Sequence, residues 1–520
     1  MMHIDQARTI AFLSRPESYR TADEVAYVET HAAIVFLVGG KAYKLKRAIK
    51  YPFLDYSTVA LREKSARAEL TLNRRTAPQL YLDVVPVSLT PDGRLSLDET
   101  GEVVDWLVVM RRFKEENLLS RIADQGALPR PLLQRLADRI VDFHNAAEVR
   151  KDYGGAAAMR RVIELNHASM SQHPETLATA EVDDLRQGSL TALDDVATLL
   201  DRRRDNGFVR HCHGDLHLRN ICLIEGEPAP FDCIEFSEDL ACIDVLYDLA
   251  FLLMDLWCRN HHGEANFIFN RYLDMNDDGT GGMAALPLFL SMRAAVRAHV
   301  AAAAASLLGG DGRKAEAETA RCYLNAAIQF LQIGRPSLVA IGGLSGTGKS
   351  TLAYALAPFL GRAPGARVLR SDVLRKRLMH RSPEERLSKE AYSSEINARV
   401  YGRLEEQAGQ TLSAGHAVIA DAVFGRGDER SAIAAAADKA GSTFVGLWLK
   451  ARVSQLEARL RGRIGDASDA TIDVLHRQLQ EDVTTPHEWH QVDAGNDAKA
   501  VLSAVKMIAG CGREVSRGLK

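Results

Sequence analysis

Hydrophobic positions along this chain follow two rhythms, and the change between them falls near residue 335. Residues 32–45, AAIVFLVGGKAYKL, form two β-type apolar runs about Gly39-Gly40, which predicts a hairpin. Residues 57–75 have helical composition, while residues 80–87 and 103–110 predict further strands. A small sheet carrying one helix is expected. Beyond Phe113 the apolar spacing becomes helical, with amphipathic stretches at 132–147, 183–204, 244–259 and 284–308 and short strands near 207–210 and 221–232. A last helical stretch, 314–331, runs into Gly334-Arg335-Pro336. Apolar runs at 338–341, 368–370, 417–421 and 443–449 then alternate with helical segments, which predicts a parallel sheet with flanking helices. The pattern therefore divides the chain into domains 1–334 and 335–520.

A length of 520 residues fits two or three cores better than one. Hydrophobic content of 46% with 26% charged residues is that of a soluble globular protein, and a net charge of −3 argues against a broad nucleic-acid-binding surface. Seven cysteines, Cys212, Cys222, Cys233, Cys242, Cys258, Cys322 and Cys511, include no CxxC pair and read as reduced thiols. The first 20 residues lack a basic start followed by an apolar stretch, so a cytoplasmic location is expected. The most apolar stretch, 283–308, is broken by Pro287, Arg293, Arg297 and His299, which suits a packed helix rather than a membrane span.

The sharpest chemical signal is GLSGTGKST, residues 343–351, directly after an apolar strand. Gly343, Ser345, Gly346, Thr347, Gly348 and Thr351 belong to a loop whose backbone N–H groups can close around phosphate oxygens. Lys349 would reach the β- and γ-phosphates of ATP, and the Ser350 hydroxyl would ligate Mg²⁺.

A second signal lies in the first domain. HCHGDLHLRNI, residues 211–221, is followed by PFDCIEF. Asp215, Asn220 and Asp232 have the order used for phosphoryl transfer in protein-kinase-like folds: a base for the attacking hydroxyl, then two oxygen ligands for Mg²⁺. Lys44 in AYKLKR would meet the α- and β-phosphates, with Glu69 of RAELTLNRR as its partner. Lys46, two residues further on the same strand face, competes for that role. His211, His213 and His217 read as hydrogen-bonding groups rather than a metal cluster, and Asp248 as a loop-orienting or core-pairing carboxylate rather than a catalyst.

HGDLHLRN, Asp232, the Phe143-His144 pair and Asp248 in LYDLAFL together resemble the aminoglycoside phosphotransferase family of small-molecule kinases, over roughly residues 25–310. The resemblance implies an α+β protein-kinase-like fold with a small β-sheet lobe and a mostly helical lobe. It implies Asp215 as catalytic base, with Asn220 and Asp232 as metal ligands. The segment after Asp232, CIEFSEDLACID, departs from the shorter glycine-rich link of many relatives, so the resemblance carries no acceptor with it.

In the α/β domain, Asp372 of SDVLR sits at a strand's carboxyl end, where it could act as general base, with Arg375 holding an anionic part of the substrate. Ser371 or Asp372 also suits a helix N-cap. Asp421 of AVIADAVF could orient Mg²⁺, and Arg459 and Arg463 resemble the phosphate-closing lid of nucleoside and gluconate-type kinases. These motifs resemble the P-loop kinase group that includes zeta-toxin-like and polynucleotide-kinase-like domains. The expected protein is a bifunctional ATP- and Mg²⁺-dependent kinase acting on small-molecule hydroxyls, with no membrane partner. Two alternatives stand beside it: a C-terminal nucleic-acid 5′-hydroxyl kinase, or one nucleotide site that is purely regulatory.

Overall fold

Gly39 takes a φ of +52°, and with Gly40 it closes a two-residue hairpin in which Val38 lies opposite Lys41. Such left-handed turns match the twist of the strands they join, and glycine adopts them without steric cost. This is a computed structural model, and it describes residues 6–30, 32–51, 54–98, 100–126, 128–276, 281–462, 468–480 and 486–510. Strands β1 (Val25–Glu29), β2 (Ala33–Val38), β3 (Lys41–Lys46), β4 (Tyr81–Leu89), β5 (Leu95–Ser96) and β6 (Glu102–Arg111) form an antiparallel sheet ordered β1-β2-β3-β6-β4-β5.

Helix α1 (Val59–Asn73) lies on β4 and β6, and the Thr58 hydroxyl caps it by accepting from the Leu61 N–H at 3.2 Å. Its buried stripe is unusual, because Arg62, Ser65, Glu69 and Asn73 point inward beside Ala66. Buried polar groups need partners, and each of these finds one inside the fold. Helix α2 (Arg130–Ala146) is conventional by contrast, burying Leu132, Leu133, Leu136, Ile140 and Phe143 along one face. The stretch 221–232, read as one strand, is a hairpin of β7 (Ile221–Ile224) and β8 (Glu227–Pro230) turning at Glu225 and Gly226, both at positive φ. Its register pairs Ile221 with Pro230, so the flanking Asn220 and Phe231 meet, and the Phe231 N–H donates to the Asn220 carbonyl at 2.9 Å. The helix expected at 244–259 starts at Val245, after a short strand, Cys242–Asp244, and runs as α3 (Val245–Cys258).

Compactness groups residues up to 159 with 200–252, and residues 160–199 with 253 onward. The helices after residue 253 thus share a compact unit with the α/β sheet. In that unit α4 (His262–Met275) precedes two long packed helices, Leu286–Leu307 and Gly310–Phe330. The apolar helix spanning Met283–Leu307 is long enough to cross a membrane, but 67% of its apolar window is buried within the protein, as expected of a core helix.

The parallel sheet contains β9 (Ser337–Gly342), β10 (Arg367–Arg370), β11 (Val418–Asp421), β12 (Thr443–Lys450) and β13 (His490–Asp493), in the order β10-β11-β9-β12-β13. The fifth strand gave no clear sequence signal. Apolar cores cover both faces, which explains why β9 reads as an unbroken apolar run. Strand β10 is one of the two sheet edges, and α4 satisfies it: the Asn270 side-chain carbonyl accepts from the Val368 N–H at 2.7 Å, and the Asn266 amide donates to Pro364 and Ala366 carbonyls at 3.0 Å. The buried Arg367 guanidinium donates to Asn270 Oδ1 at 3.0 Å and to Asp274 at 2.5 Å.

Candidate active sites

In the first unit, β3, α1 and the loop after β8 converge. Lys44 Nζ lies 2.8 Å from Glu69 Oε1 and 2.5 Å from Asp232 Oδ1. Lys46, from the same face of β3, donates to Glu69 Oε2 at 2.6 Å and to Glu235. Glu69 is thus shared by both lysines. Burial would push its carboxyl pKa up, but Lys44 and then Lys46 outweigh that and hold it down at about 2. For Lys44, burial works against the ammonium, yet Asp232 and then Glu69 raise its pKa well above the ordinary lysine value. Both groups therefore stay charged at neutral pH.

Asp232 adopts a φ of +61°, uncommon for a residue with a side chain. Its N–H donates to the Tyr81 hydroxyl at 3.1 Å, and the next N–H, of Cys233, donates to Asn73 Oδ1 at 2.9 Å. Asn220 Nδ2 donates to Asp215 Oδ2 at 2.8 Å. The loop carrying Asp215 is held from below by Asp248, which accepts from the N–H groups of His213 at 3.0 Å and Gly214 at 2.8 Å and contacts His144 Nε2 at 3.1 Å. Of the two roles the sequence left open for Asp248, orienting the loop and pairing in the core, the structure shows both.

His213 is buried against the Phe231 carbonyl at 3.0 Å, and burial lowers its pKa, so it stays neutral. His217 packs edge-on against Phe251. Among the described residues, the one His/Cys/Asp/Glu group close enough to share an ion is His144, Cys212 and Asp248. Burial, with Asp248 second, raises the Cys212 thiol pKa, and the Asp248 oxygens are already engaged, so this cluster is structural.

In the second unit the glycine-rich loop joins β9 to α5 (Lys349–Leu356). A Cβ on Gly343 would sit 2.6 Å from the Leu449 carbonyl, and one on Gly346 would sit 2.9 Å from the Leu456 carbonyl; φ is +137° and +84° there. Only glycine lets the loop lie this close to its neighbours. Lys349 Nζ donates to the carbonyls of Gly343 at 2.8 Å and Leu344 at 3.0 Å. Ser350 Oγ donates to Asp421 Oδ2 at 2.6 Å, and burial raises the Asp421 pKa against Arg370 and Lys349.

Ser345 to Thr351, Asp372, Arg375, Asp421 and Arg459 line one cleft of about 1150 Å³, together with Lys389, Tyr392, Arg426 and Arg477. Arg370 occupies the N-cap position of α6 (Ser371–Leu378), and neither Ser371 nor Asp372 caps it. Arg375 donates to the Ala391 carbonyl at 2.8 Å and lies 4.7 Å over the Tyr392 ring. Arg459, on α7 (Val453–Arg461), donates to the Thr347 carbonyl at 3.4 Å and the Ala494 carbonyl at 2.7 Å. Arg463 lies outside the described residues. Six cysteines are free thiols, and Cys511 lies outside the described residues.

Three site neighbours escaped the sequence. Glu235 stands three residues after Asp232, inside the segment that departs from the family pattern. Tyr56 donates to it at 2.6 Å. Gln478, on α8 (Ile472–Gln480), accepts from the Ser345 N–H at 3.0 Å, a contact that no local motif announces.

Residues 55–286 match the model of the Phosphotransferase enzyme family, and residues 338–482 match an AAA domain model. An uncharacterized protein of Mycobacterium tuberculosis (strain H37Rv) is 30% identical over 456 residues, covering 86% of this chain and 88% of the relative, and one of Mycobacterium bovis matches equally. The chain belongs to the family these proteins form: a kinase-class phosphotransferase in which a phosphotransferase domain precedes a P-loop domain.

Among solved structures, a choline/ethanolamine kinase family protein from Mesorhizobium loti is 12% identical, covering 64% of this chain and all of that one, with a TM-score of 0.36. A gluconokinase from Sinorhizobium meliloti is 18% identical, covering 34% of this chain and 92% of that one, with a TM-score of 0.25. At these scores nothing about an acceptor passes to this chain.

Proposed function

We propose that this chain is a bifunctional ATP-dependent kinase, in which each site transfers a γ-phosphoryl group to a hydroxyl of a small molecule. For the first site the carrying observation is the meeting of Lys44 with Glu69 and Asp232, beside the Asp215–Asn220 pair. Asn220 and Asp232 offer the oxygen donors that suit Mg²⁺, and would hold it. When bound, Mg²⁺ neutralises charge on phosphate oxygens. Lys44 would turn from Asp232 to the α- and β-phosphates while Glu69 keeps it in place. The Asn220 amide holds Asp215 Oδ2, and Oδ1, 3.5 Å from His217 Nε2, would accept the proton of the attacking hydroxyl.

At the second site the loop from Gly343 to Gly348 cradles phosphates with backbone N–H groups, Lys349 leaves its own-loop carbonyls for the β- and γ-phosphates, and Ser350 with Asp421 would hold Mg²⁺. Asp372 is the base, Arg375 binds an anionic part of the acceptor, and Arg459 supports the loop. Free, mostly buried thiols support a reducing, cytoplasmic setting.

The test uses the full chain carrying Lys349→Ala, so that only the first site turns over. ADP release is screened against a panel of sugars and nucleosides. Asp215→Ala in that background is expected to lower the stimulated rate by roughly 10²–10⁴-fold with ATP binding retained. Turnover that survives the substitution sinks the reading.

A further inference from the structure

Two lysines stand two residues apart on β3, and their surroundings differ. Lys44 points to the half-exposed Asp232, whose side chain is 43% accessible. The Lys46 side chain is only 3% accessible and that of Glu235 only 6%. Glu235 also accepts from the Tyr56 hydroxyl at 2.6 Å and the Ser65 hydroxyl at 3.0 Å, and Lys46 Nζ lies 4.9 Å from the centre of the Tyr56 ring. Both side chains of the pair are therefore buried.

Only Cys233 and Ile234 separate Glu235 from Asp232. Each N–H of that short link is tied down, Cys233 to Asn73 Oδ1 at 2.9 Å and Ile234 to the His213 carbonyl at 2.9 Å. A positive φ at a non-glycine residue persists only when its surroundings fix it, and Asp232 sits at +61°. The Lys46–Glu235 pair ties the far end of the link to β3, while the Ser65 hydroxyl and, through Lys46, Glu69 tie it to α1.

We infer that Glu235 is a positioning residue: its buried pair with Lys46 fixes the Asp232 loop in the conformation that presents Asp232 to a divalent cation. Lys46 is then a permanent anchor, and Lys44 alone is the lysine that exchanges a carboxylate for phosphate. This rests on reading the first site as a phosphoryl-transfer centre. Residues that orient metal ligands typically change metal affinity 10–100-fold when altered, whereas a lysine that contacts phosphate acts on nucleotide affinity.

The experiment titrates Mn²⁺ by electron paramagnetic resonance into the full chain carrying Lys349→Ala, in the presence of a non-hydrolysable ATP analogue, with thermal unfolding in parallel. Glu235→Gln is expected to weaken Mn²⁺ binding at least tenfold while the nucleotide-free chain still unfolds in one cooperative transition. Leaving a buried charge unpaired can itself unfold a protein. For that case the double variant Lys46→Met/Glu235→Gln, which removes both charges, is read by the same criterion. Wild-type Mn²⁺ affinity in the folded variant overturns the inference. Asp232→Asn is the control: if it too leaves Mn²⁺ binding intact, the reading of the whole site fails, not the positioning role alone.

Discussion

The two candidate phosphate sites are built from different materials. The P-loop site is made mostly of backbone within nine consecutive residues, and its shape is enforced by Gly343 and Gly346, where a Cβ would meet a neighbouring carbonyl. The first site is made of side chains from β3, α1 and the segments 213–220 and 231–235, held together by ion pairs across 188 residues of sequence. A backbone cradle needs only local conformation. A side-chain constellation needs the whole unit folded around it, and each of its buried charges must find a partner.

The largest expected contrast comes from removing the lysine proposed to contact phosphate in each site. Lys349→Ala and Lys44→Met should each abolish turnover at one site by roughly 10²–10³-fold, on the scale of a lost preorganised donor, and leave the other unchanged. Calorimetric titration with ATP should fall from two binding events to one in either variant. Loss of both events in one variant would show that the sites are energetically coupled.

Next comes the frame of the second site. Strand β10 leads straight into Asp372, and α4 satisfies its edge through Asn266 and Asn270. Asn270→Ala should destabilise the second unit by about 2–3 kcal/mol, because the Val368 N–H and the Arg367 guanidinium lose a buried acceptor. Denaturant unfolding measures this. A fragment of residues 335–520 lacks α4 altogether and should show a non-cooperative melt.

Gly346→Ala tests the backbone cradle itself. With a φ of +84° and the Leu456 carbonyl 2.9 Å from the added methyl, the loop must shift. We expect about a tenfold loss in ATP affinity at that site, with the first site's titration unchanged.

The smallest effect is a pH dependence. His416 is buried, with Nε2 2.9 Å from the Met283 carbonyl and Nδ1 without a partner among the described residues, and burial lowers its pKa from 6.5 to about 3. A base with a depressed folded pKa stabilises only while neutral, so its contribution is full above pH 6.5 and is lost as pH falls toward 3. Glu69, at about 2 against 4.5, contributes fully above pH 4.5 and loses its contribution between 4.5 and 2. Thermal melts between pH 7 and 5 should therefore flatten in His416→Gln and keep their slope in Glu69→Gln.

Much of this was legible because the signals are local. The hairpin at Gly39-Gly40, the P-loop after an apolar strand and the HGDLHLRN segment each carry their own geometry in neighbouring residues. The four main strands of the parallel sheet showed as apolar runs because both of their faces are buried. The edge strand β13, with the burial pattern of a mostly exposed strand, had no such signature. The single strand read at 221–232 was a hairpin because Glu225 and Gly226 turn the chain inside an otherwise apolar run.

By itself, then, the sequence determined the two rhythms, the glycine-rich loop after β9 and the candidate residues of each site, since spacing and backbone permissiveness are properties of short segments. Only the tertiary structure decided that Glu69 serves two lysines, that Glu235 closes the niche of Lys46, and that α4 completes the edge beneath Asp372. Those choices depend on which buried charges and edge hydrogen bonds must be satisfied across space, and a linear pattern does not record that.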